Sequence, residues 1–401
     1  MSLGRVKGYD RLILAAVLAV ALAVRLAGVI AVRGVSVADV AQFEGWATDI
    51  ERGQSPYVVH RCNYPPAAIF LSVFLRALAR LSGITFDVLF KLPGLAADLA
   101  IVGLLYSVLQ KRRSRAIASI AALGYALNPV AVIITSLHGQ LDGVAALCCL
   151  VAVLLIEDRR DPALEVLSAL CLGAGIGFKV WPVLLLPVVL FHLRGSPSRQ
   201  ARYLVLACLP AAATILPFFL DAPRAVLTSV IGYGGVTDQG WVAALRSLWF
   251  VRTGNLYLPG TLAETLTRWG KIVFVALYLV ALPLGRRYWN LAGQCAMTFL
   301  LFFVVFGGLS SQYFIWLLPF SLLELEIMTV PYTLTATLAL VTFYLRFFPE
   351  VLFGTRPPPA LSPSTVALAH AISTGAWWLT CVAWLLALVV RWRRLPGRSR
   401  A

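Results

Sequence analysis

Thirteen residues, GVSVADVAQFEGW (34–46), set Asp39 and Glu44 directly after a long apolar run. A partly desolvated carboxylate near a membrane can take a proton from a hydroxyl at neutral pH. Asp39 equally fits an N-cap for a helix starting near Val40, and both acids fit solvating charges at a helix end. SLHGQLDG (136–143) packs His138, Gln140 and Asp142 into five residues. Asp142 there suits either a polar site or the positive end of a helix dipole. GFKVWP (177–182) puts Lys179 between two apolar runs. A lysine so placed either snorkels or binds a lipid phosphate as a point charge. Trp181 beside it reads as an interface anchor. GGLSSQYFIW (307–316) carries Gln312 and Tyr313 at another turn, and NYPP (63–66) carries Tyr64. IGYGGVTDQGW (231–241) holds Tyr233 and is followed by Arg246, Arg252 and Arg268. Glycine, aromatics and bases in that order suit a groove for a sugar and a phosphate, or a flexible connector.

These residues sit in a chain that is 60% hydrophobic and 13% charged, with a mean hydropathy of +0.84. Apolar runs recur from residue 11 to residue 390, so the expected fold is an all-α polytopic membrane protein. Twelve spans are expected, at about 11–33, 92–110, 116–135, 141–156, 163–178, 182–193, 202–220, 271–284, 291–308, 313–328, 330–346 and 366–390. The first run is too long for a signal peptide, although VSVA before Asp39 resembles a cleavage site. A net charge of +16 does not point to nucleic acid, because the bases lie in short clusters between apolar runs.

Those clusters order the topology. Arg5-Lys7-Arg11, Lys111-Arg112-Arg113-Arg115, Arg159-Arg160, Arg194-Arg199-Arg202, Arg286-Arg287 and the tail Arg391-Arg393-Arg394-Arg398-Arg400 all fall on one side. That side is expected to be cytoplasmic and to hold both termini. The assignment requires YPPAAIFLSVFLRALARLSG (64–83), which carries Arg76 and Arg80 one helical turn apart, to lie in the outer interface. The single domain, residues 1–401, then has two long extracytoplasmic loops, 34–91 and 221–270. Long loops gathered on one side usually carry function. Asp98 falls inside the second span and needs a partner, with Lys91 and Lys179 the candidates.

Six of the seven cysteines lie in apolar runs, and the four histidines have no metal-ligand spacing. No phosphate-binding glycine loop is present. Nucleotide chemistry therefore has no visible home, and neither cofactor nor metal is expected. A carboxylate base, bases for phosphate, aromatics for a sugar and apolar surface for a lipid tail share one face. Together they suit transfer of a sugar from a lipid phosphate to a hydroxyl.

In this light the chain resembles the GT-C superfamily of membrane glycosyltransferases that use polyprenyl-phosphate sugars. Within that superfamily it is most similar to the mannosyltransferases that add the first mannose to GPI precursors. The resemblance rests on Asp39 with Phe43, GQSPY (53–57), YPP (64–66), KLPGLAADL (91–99), LNP (127–129), GQLDG (139–143), GFKVWP (177–182) and SQYFIW (311–316), in that order. YPP and HGQLD also echo glucosyltransferases of the N-glycan pathway. The resemblance implies that Asp39 is the catalytic base and that Lys179, Gln312 and Tyr313 face the outer site. The related enzymes show Asp-x-Asp where this chain has Val37-Ala38-Asp39, which argues against a bound divalent metal.

The expected partners are a polyprenyl-phosphate hexose, in first place mannose, a lipid-linked or glycan acceptor, and membrane lipids. Tyr64, His138, Gln140, Asp142, Lys179, Tyr233, Arg252, Gln312 and Tyr313 are the expected binding residues. The composition suggests a prokaryotic plasma membrane, with the site extracytoplasmic. Two rivals remain open: a polymerase or ligase drawing on a pyrophosphate carrier, and a lipid or solute transporter.

Overall fold

Capping residues and prolines set where the helices begin. Ser114 accepts a hydrogen bond from the amide of Ile117 at 3.3 Å, Asp161 from Ala163 at 2.8 Å and Asn290 from Gly293 at 2.8 Å. Each satisfies a donor that the first helical turn leaves open. The computed structural model describes residues 8–35, 37–157, 161–288 and 290–394. The basic residues Arg5, Lys7, Arg159, Arg160, Arg398 and Arg400 lie outside the described residues, as does Ser36 of the cleavage-like sequence.

The longer helices are α1 (Gly8–Ala31), α2 (Ala38–Glu51), α3 (Pro66–Ser82), α4 (Phe86–Arg112), α5 (Arg115–Ala126), α6 (Asp142–Glu157) and α7 (Pro162–Phe178). They continue as α8 (Pro197–Asp221), α9 (Gly240–Thr253), α10 (Leu262–Tyr288), α11 (Leu291–Val305), α12 (Thr329–Phe347) and α13 (Pro363–Arg394). Short helical turns join them, and the β contact among the described residues is one isolated bridge between Gln239 and Leu309. Most expected spans fall largely on helix, while 313–328 is broken into the end of a 3-10 turn, a six-residue helix at Leu318–Leu323 and a non-helical stretch. Among the described residues, six helices are long and apolar enough to cross a bilayer: Gly8–Ala31, Phe86–Arg112, Arg115–His138, Pro197–Asp221, Leu262–Gly285 and Pro363–Arg391. Four shorter apolar helices accompany them. This is an integral membrane protein.

The region before α4 carries two longer helices, α2 and α3, the second over the segment expected to be helical. α3 packs against α2, and both Arg76 and Arg80 reach Glu51, Arg80 at 2.9 Å. The opposite side of α3 exposes Phe70, Phe74 and Leu81. The region 221–270 differs from the expected loop. WVAALRSLWFV continues helically as α9, and α10 begins at Leu262, well before Lys271. The glycines that suggest a connector occupy only the short turn ahead of α9.

Asp98 pairs with neither Lys91 nor Lys179. Its partner is Arg25 of α1, Nε to Oδ2 at 2.8 Å, with both side chains fully buried. Thr135 donates to the same oxygen at 2.8 Å and Tyr125 to Oδ1 at 2.8 Å. The Arg25 guanidinium also donates to the carbonyl of Ala126 at 2.6 Å, the last residue of α5. Arg25 thus caps a helix end while neutralising Asp98, which satisfies a buried charge pair on both sides. The network ties α1, α4 and α5 to the turn carrying His138.

Candidate active site

Four breaks in the helices converge to build the site. The first comes after α5. Asn128-Pro129 restarts the helix, a π-helical turn spans Ile133–His138, and Gly139 leaves it with φ +86°. That left-handed φ favours glycine. A side chain there would also meet Val40 at 3.0 Å and Lys91 at 3.1 Å. The reversal lets His138, Gln140 and Asp142 point the same way within one turn and a half. The second break is Lys179, extended between α7 and the 3-10 turn Trp181–Leu185. The third is the 3-10 turn Ser311–Ile315. The fourth is the turn 232–239, where the amides of Asp238 and Gln239 bond to the carbonyl of Leu309 at 3.1 and 3.0 Å.

Asp39 stands in the first turn of α2. The N-cap is Val37, so Asp39 does not cap the helix. Its carboxylate accepts from Gln140 Nε2 and lies 3.2 Å from His138 Nε2. The other ring nitrogen of His138 meets the Tyr344 hydroxyl at 2.6 Å. With its proton on Nε2, His138 donates to Asp39 and accepts from Tyr344. The Asp39 side chain keeps 33% of its surface exposed, so a reactant can reach it. Burial pushes its pKa up, but the hydrogen bond and charge of His138, the charge of Lys179 and the Gln140 hydrogen bond outweigh this. Asp39 is held below the usual carboxylate value and is ionised at neutral pH.

Lys179 does not snorkel. Its ammonium lies 2.8 Å from Asp142 Oδ2, 2.5 Å from the Tyr64 hydroxyl and 3.4 Å from Gln140 Oε1. The Tyr64 hydroxyl in turn donates to Gln140 Oε1 at 3.1 Å. Asp142 is the first residue of α6, as expected, and its other oxygen accepts the Trp316 indole N–H at 2.7 Å. Trp181 is buried rather than an interface anchor, stacking on Trp316 with ring centroids 4.4 Å apart. Tyr313 stacks on the same Trp316 ring at 4.0 Å.

Two cavities meet here. One, of about 300 Å³, runs from Lys179 and Gln312 past Trp181 and Tyr313 into an apolar trough of Val183, Leu184, Val230, Phe302 and Phe306. The other, of about 360 Å³, holds Asp39, His138, Asp238 and Arg246. Asn63, Tyr64, Tyr233 and Gln312 line both, so the two cavities adjoin at these residues.

The structure therefore gathers Asp39, Tyr64, His138, Gln140, Asp142, Lys179, Tyr233, Gln312 and Tyr313. It does not gather Arg252, which is exposed on the last turn of α9. Six residues from Arg246, it points about 240° around the helix from it. Asp238, Trp316 and Tyr344 are site residues that sequence reasoning does not single out, and of the bases that follow the glycine-rich stretch it is Arg246 that lines the cavity of Asp39. Asp238 and Trp316 lie within the motifs 231–241 and 307–316, and for Asp238 the available signal is a charge in a glycine turn.

The turn 232–239 packs backbone against backbone. Gly235 has φ +79°, and a Cβ there would lie 2.4 Å from the carbonyl oxygen of Gly308. Gly235→Ala is expected to destabilise the protein by about 1–3 kcal/mol and to shift Tyr233 and Asp238. Gly234→Ala, where nothing lies within 4 Å, is expected to stay within about 0.5 kcal/mol of wild type. Thermal unfolding of the two variants checks this, and equal effects would refute it.

The family model for glycosyltransferase family 87 matches residues 63–311, more than half of the chain. The match takes in Tyr64, the turn 138–142, Lys179 and Asp238, and leaves Asp39, Gln312 and Tyr313 outside. The chain is similar to the crystal structure of ArnT from Cupriavidus metallidurans in the apo state, with a TM-score of 0.55 and 12% identity, covering 93% of this chain and 76% of that one. It is also similar to ArnT from the same organism bound to undecaprenyl phosphate, with a TM-score of 0.53 and 14% identity over 94% of this chain and 77% of that one. At such identity the likeness is one of fold, and the fold is GT-C. No curated protein matches.

Proposed function

Because the chain belongs to glycosyltransferase family 87, we propose that it moves a hexose, mannose in our reading, from a polyprenyl monophosphate to a hydroxyl of a lipid-linked or glycan acceptor. The observation that carries this reading is that the two cavities adjoin at Asn63, Tyr64, Tyr233 and Gln312. One holds an ammonium at the head of an apolar trough, and the other an accessible carboxylate. A polyprenyl chain fits the trough, its phosphate the Lys179 ammonium, and the sugar the boundary of the two cavities beside Tyr64 and Tyr233. The solved relative that holds undecaprenyl phosphate supports a donor of this kind.

In the reaction the bond from the anomeric carbon to the phosphate oxygen breaks, and the acceptor oxygen bonds to that carbon from the opposite face. The acceptor proton passes to Asp39. The phosphate leaves with one more negative charge than it had as a diester, which the Lys179 ammonium stabilises. His138 and Gln140 hold the Asp39 carboxylate in place. No metal takes part in this scheme. Among the described residues, Lys179 is the only charged one lining the trough cavity. One cation suits a monophosphate better than a pyrophosphate, which favours this reading over a pyrophosphate-carrier ligase. The first-mannose resemblance and its motifs support mannose. The basic clusters support an extracytoplasmic site and cytoplasmic termini, and the composition supports a prokaryotic plasma membrane.

The test supplies purified protein in nanodiscs with polyprenyl-phosphate mannose or glucose and a bacterial lipid extract, with and without chelator. Transfer from the mannose donor, insensitive to chelator and with inverted anomeric configuration, is expected. Transfer from glucose alone would reassign the sugar. Retained configuration would rule out the single displacement, and no turnover of either donor by folded protein would overturn the donor class.

A further inference from the structure

The cavity around Asp39 contains a second carboxylate that the transfer chemistry does not use. Asp238 is fixed at both ends of its backbone. Its amide bonds to the Leu309 carbonyl at 3.1 Å, and its own carbonyl meets His370 Nε2 at 3.0 Å. The side chain is 22% exposed, and it lines the same cavity as Asp39. Arg246 faces it at 3.8 Å, too far for a hydrogen bond. No side chain among the described residues donates to the Asp238 carboxylate.

Among the described residues most arginines come closer to a carboxylate, and the other open contact, Arg76 to Glu44 at 3.9 Å, belongs to an arginine that Glu51 already binds. Arg202 approaches Glu165 to 2.7 Å, and Arg391 approaches Glu326 to 2.8 Å. Those pairs are closed. The Asp238–Arg246 pair is open, and its guanidinium is held elsewhere. It donates to Thr237 Oγ1 at 3.1 Å and lies over the Phe347 ring at 5.5 Å. The cleft thus offers a fixed acceptor group, a fixed fork of donors and an aromatic wall of Phe343, Phe347 and Phe348. Few polar groups placed against aromatic surface are what a ligand with one apolar and one hydroxyl-bearing aspect requires. A pyranose or cyclitol ring has both aspects. A linear alcohol or a serine side chain has one hydroxyl and no need of the second carboxylate.

We propose that the cleft between Asp39 and Asp238 binds a polyhydroxylated ring of the acceptor, with Asp238 and Arg246 gripping hydroxyls next to the one that Asp39 deprotonates. The attacking hydroxyl then belongs to a carbohydrate or cyclitol ring, and Asp238 sets which hydroxyl is presented. This rests on the reading of Asp39 as proton acceptor. A further cavity of about 540 Å³ adjoins the cleft at Val236, Asp238 and Arg246 and offers room for an acceptor longer than one ring.

The test is ligand-observed NMR on the full chain in nanodiscs. The probes are methyl α-mannoside, methyl α-glucoside, methyl α-galactoside and myo-inositol, with 1-propanol as the open-chain control. At least one ring is expected to bind, and 1-propanol is not. Asp238→Asn and Arg246→Gln are each expected to weaken that ring about ten- to hundredfold. Both are conservative in size, so a folded sample is expected for at least one, checked by thermal unfolding. The acceptor KM is expected to rise by the same factor while the donor KM stays within twofold. No ring binding to wild type, or less than a twofold change in both variants, would overturn the proposal. Ring binding needs no donor, so its outcome is independent of donor turnover. Ring binding without turnover of any polyprenyl-phosphate sugar would refute the donor reading and leave the ring site standing.

Discussion

Asp39→Asn is expected to fold normally and to transfer sugar about 10²- to 10⁴-fold more slowly, the usual contribution of a positioned general base. The substitution keeps the size of the side chain, and asparagine can still accept from Gln140. What it removes is the ability to take a proton. A carboxylate held below the usual range is a weak base, which suits this reaction. The acceptor hydroxyl becomes acidic only as its oxygen bonds to the anomeric carbon, so the proton moves late and a weak base suffices. The pH profile separates the two acids of the cleft. Burial, opposed by the charges of Arg246 and His138 and helped by that of Asp39, pushes Asp238 up to about 6. As pH falls through about 6, Asp238 gains a proton and acceptor KM is expected to rise. Asp39 stays ionised there, so kcat is expected to fall only at lower pH. In Asp238→Asn the KM limb near pH 6 is expected to vanish. Unchanged kcat in Asp39→Asn would return Asp39 to a structural role and leave Asp238 as the better candidate base.

Much of this arrangement is legible in the sequence because it rests on local pattern. Apolar runs mark the spans, and prolines and capping residues mark their starts. His138, Gln140 and Asp142 can be grouped because a short reversal keeps neighbours together. Pairing across the fold is another matter. Depth along the chain matches Asp98 to nearby lysines, whereas Arg25, 73 residues away, bridges it from α1. Nothing in local spacing encodes that contact. Trp181 reads as a membrane-surface aromatic because tryptophan after a lysine at a helix end usually is one. Only the approach of the turn at 311–315 buries it against Trp316. Arg252 and Arg246 are indistinguishable as bases after a glycine-rich stretch. Once their segment is helical, the six-residue spacing sends them to different sides.

The Arg25–Asp98 network bears on function in the same way. It lines neither cavity of the site. Yet Thr135, which donates to Asp98, belongs to the π-helical turn that ends in His138. A π turn adds a residue to the helix and rotates the segment beyond it, so it needs an anchor to be held. The buried pair supplies that anchor. The polar interior of this protein therefore sets the aim of the ring nitrogen beside Asp39.

Lys179→Met is expected to destabilise the protein by about 3–5 kcal/mol, because Asp142 is left as an uncompensated charge in a fully buried position. The Trp316 N–H satisfies only one of its oxygens. Loss of function in this single variant would be ambiguous, since misfolding and a missing phosphate ligand both predict it. The double variant Lys179→Met, Asp142→Leu resolves the ambiguity. Replacing a buried ion pair with apolar groups of similar volume is often neutral for stability. Its unfolding midpoint is expected to return to near the wild-type value. Its affinity for polyprenyl phosphate is expected to stay about ten- to hundredfold weaker, because the ammonium that meets the phosphate has gone and hydrophobic packing cannot replace it. Chemical denaturation gives the first quantity, and quenching of tryptophan fluorescence by added polyprenyl phosphate gives the second. Recovery of both in the double variant would make Lys179 a structural partner of Asp142 alone. Recovery of stability without affinity would assign the phosphate to Lys179 and make Asp142 the counter-charge that keeps the ammonium in place while no donor is bound.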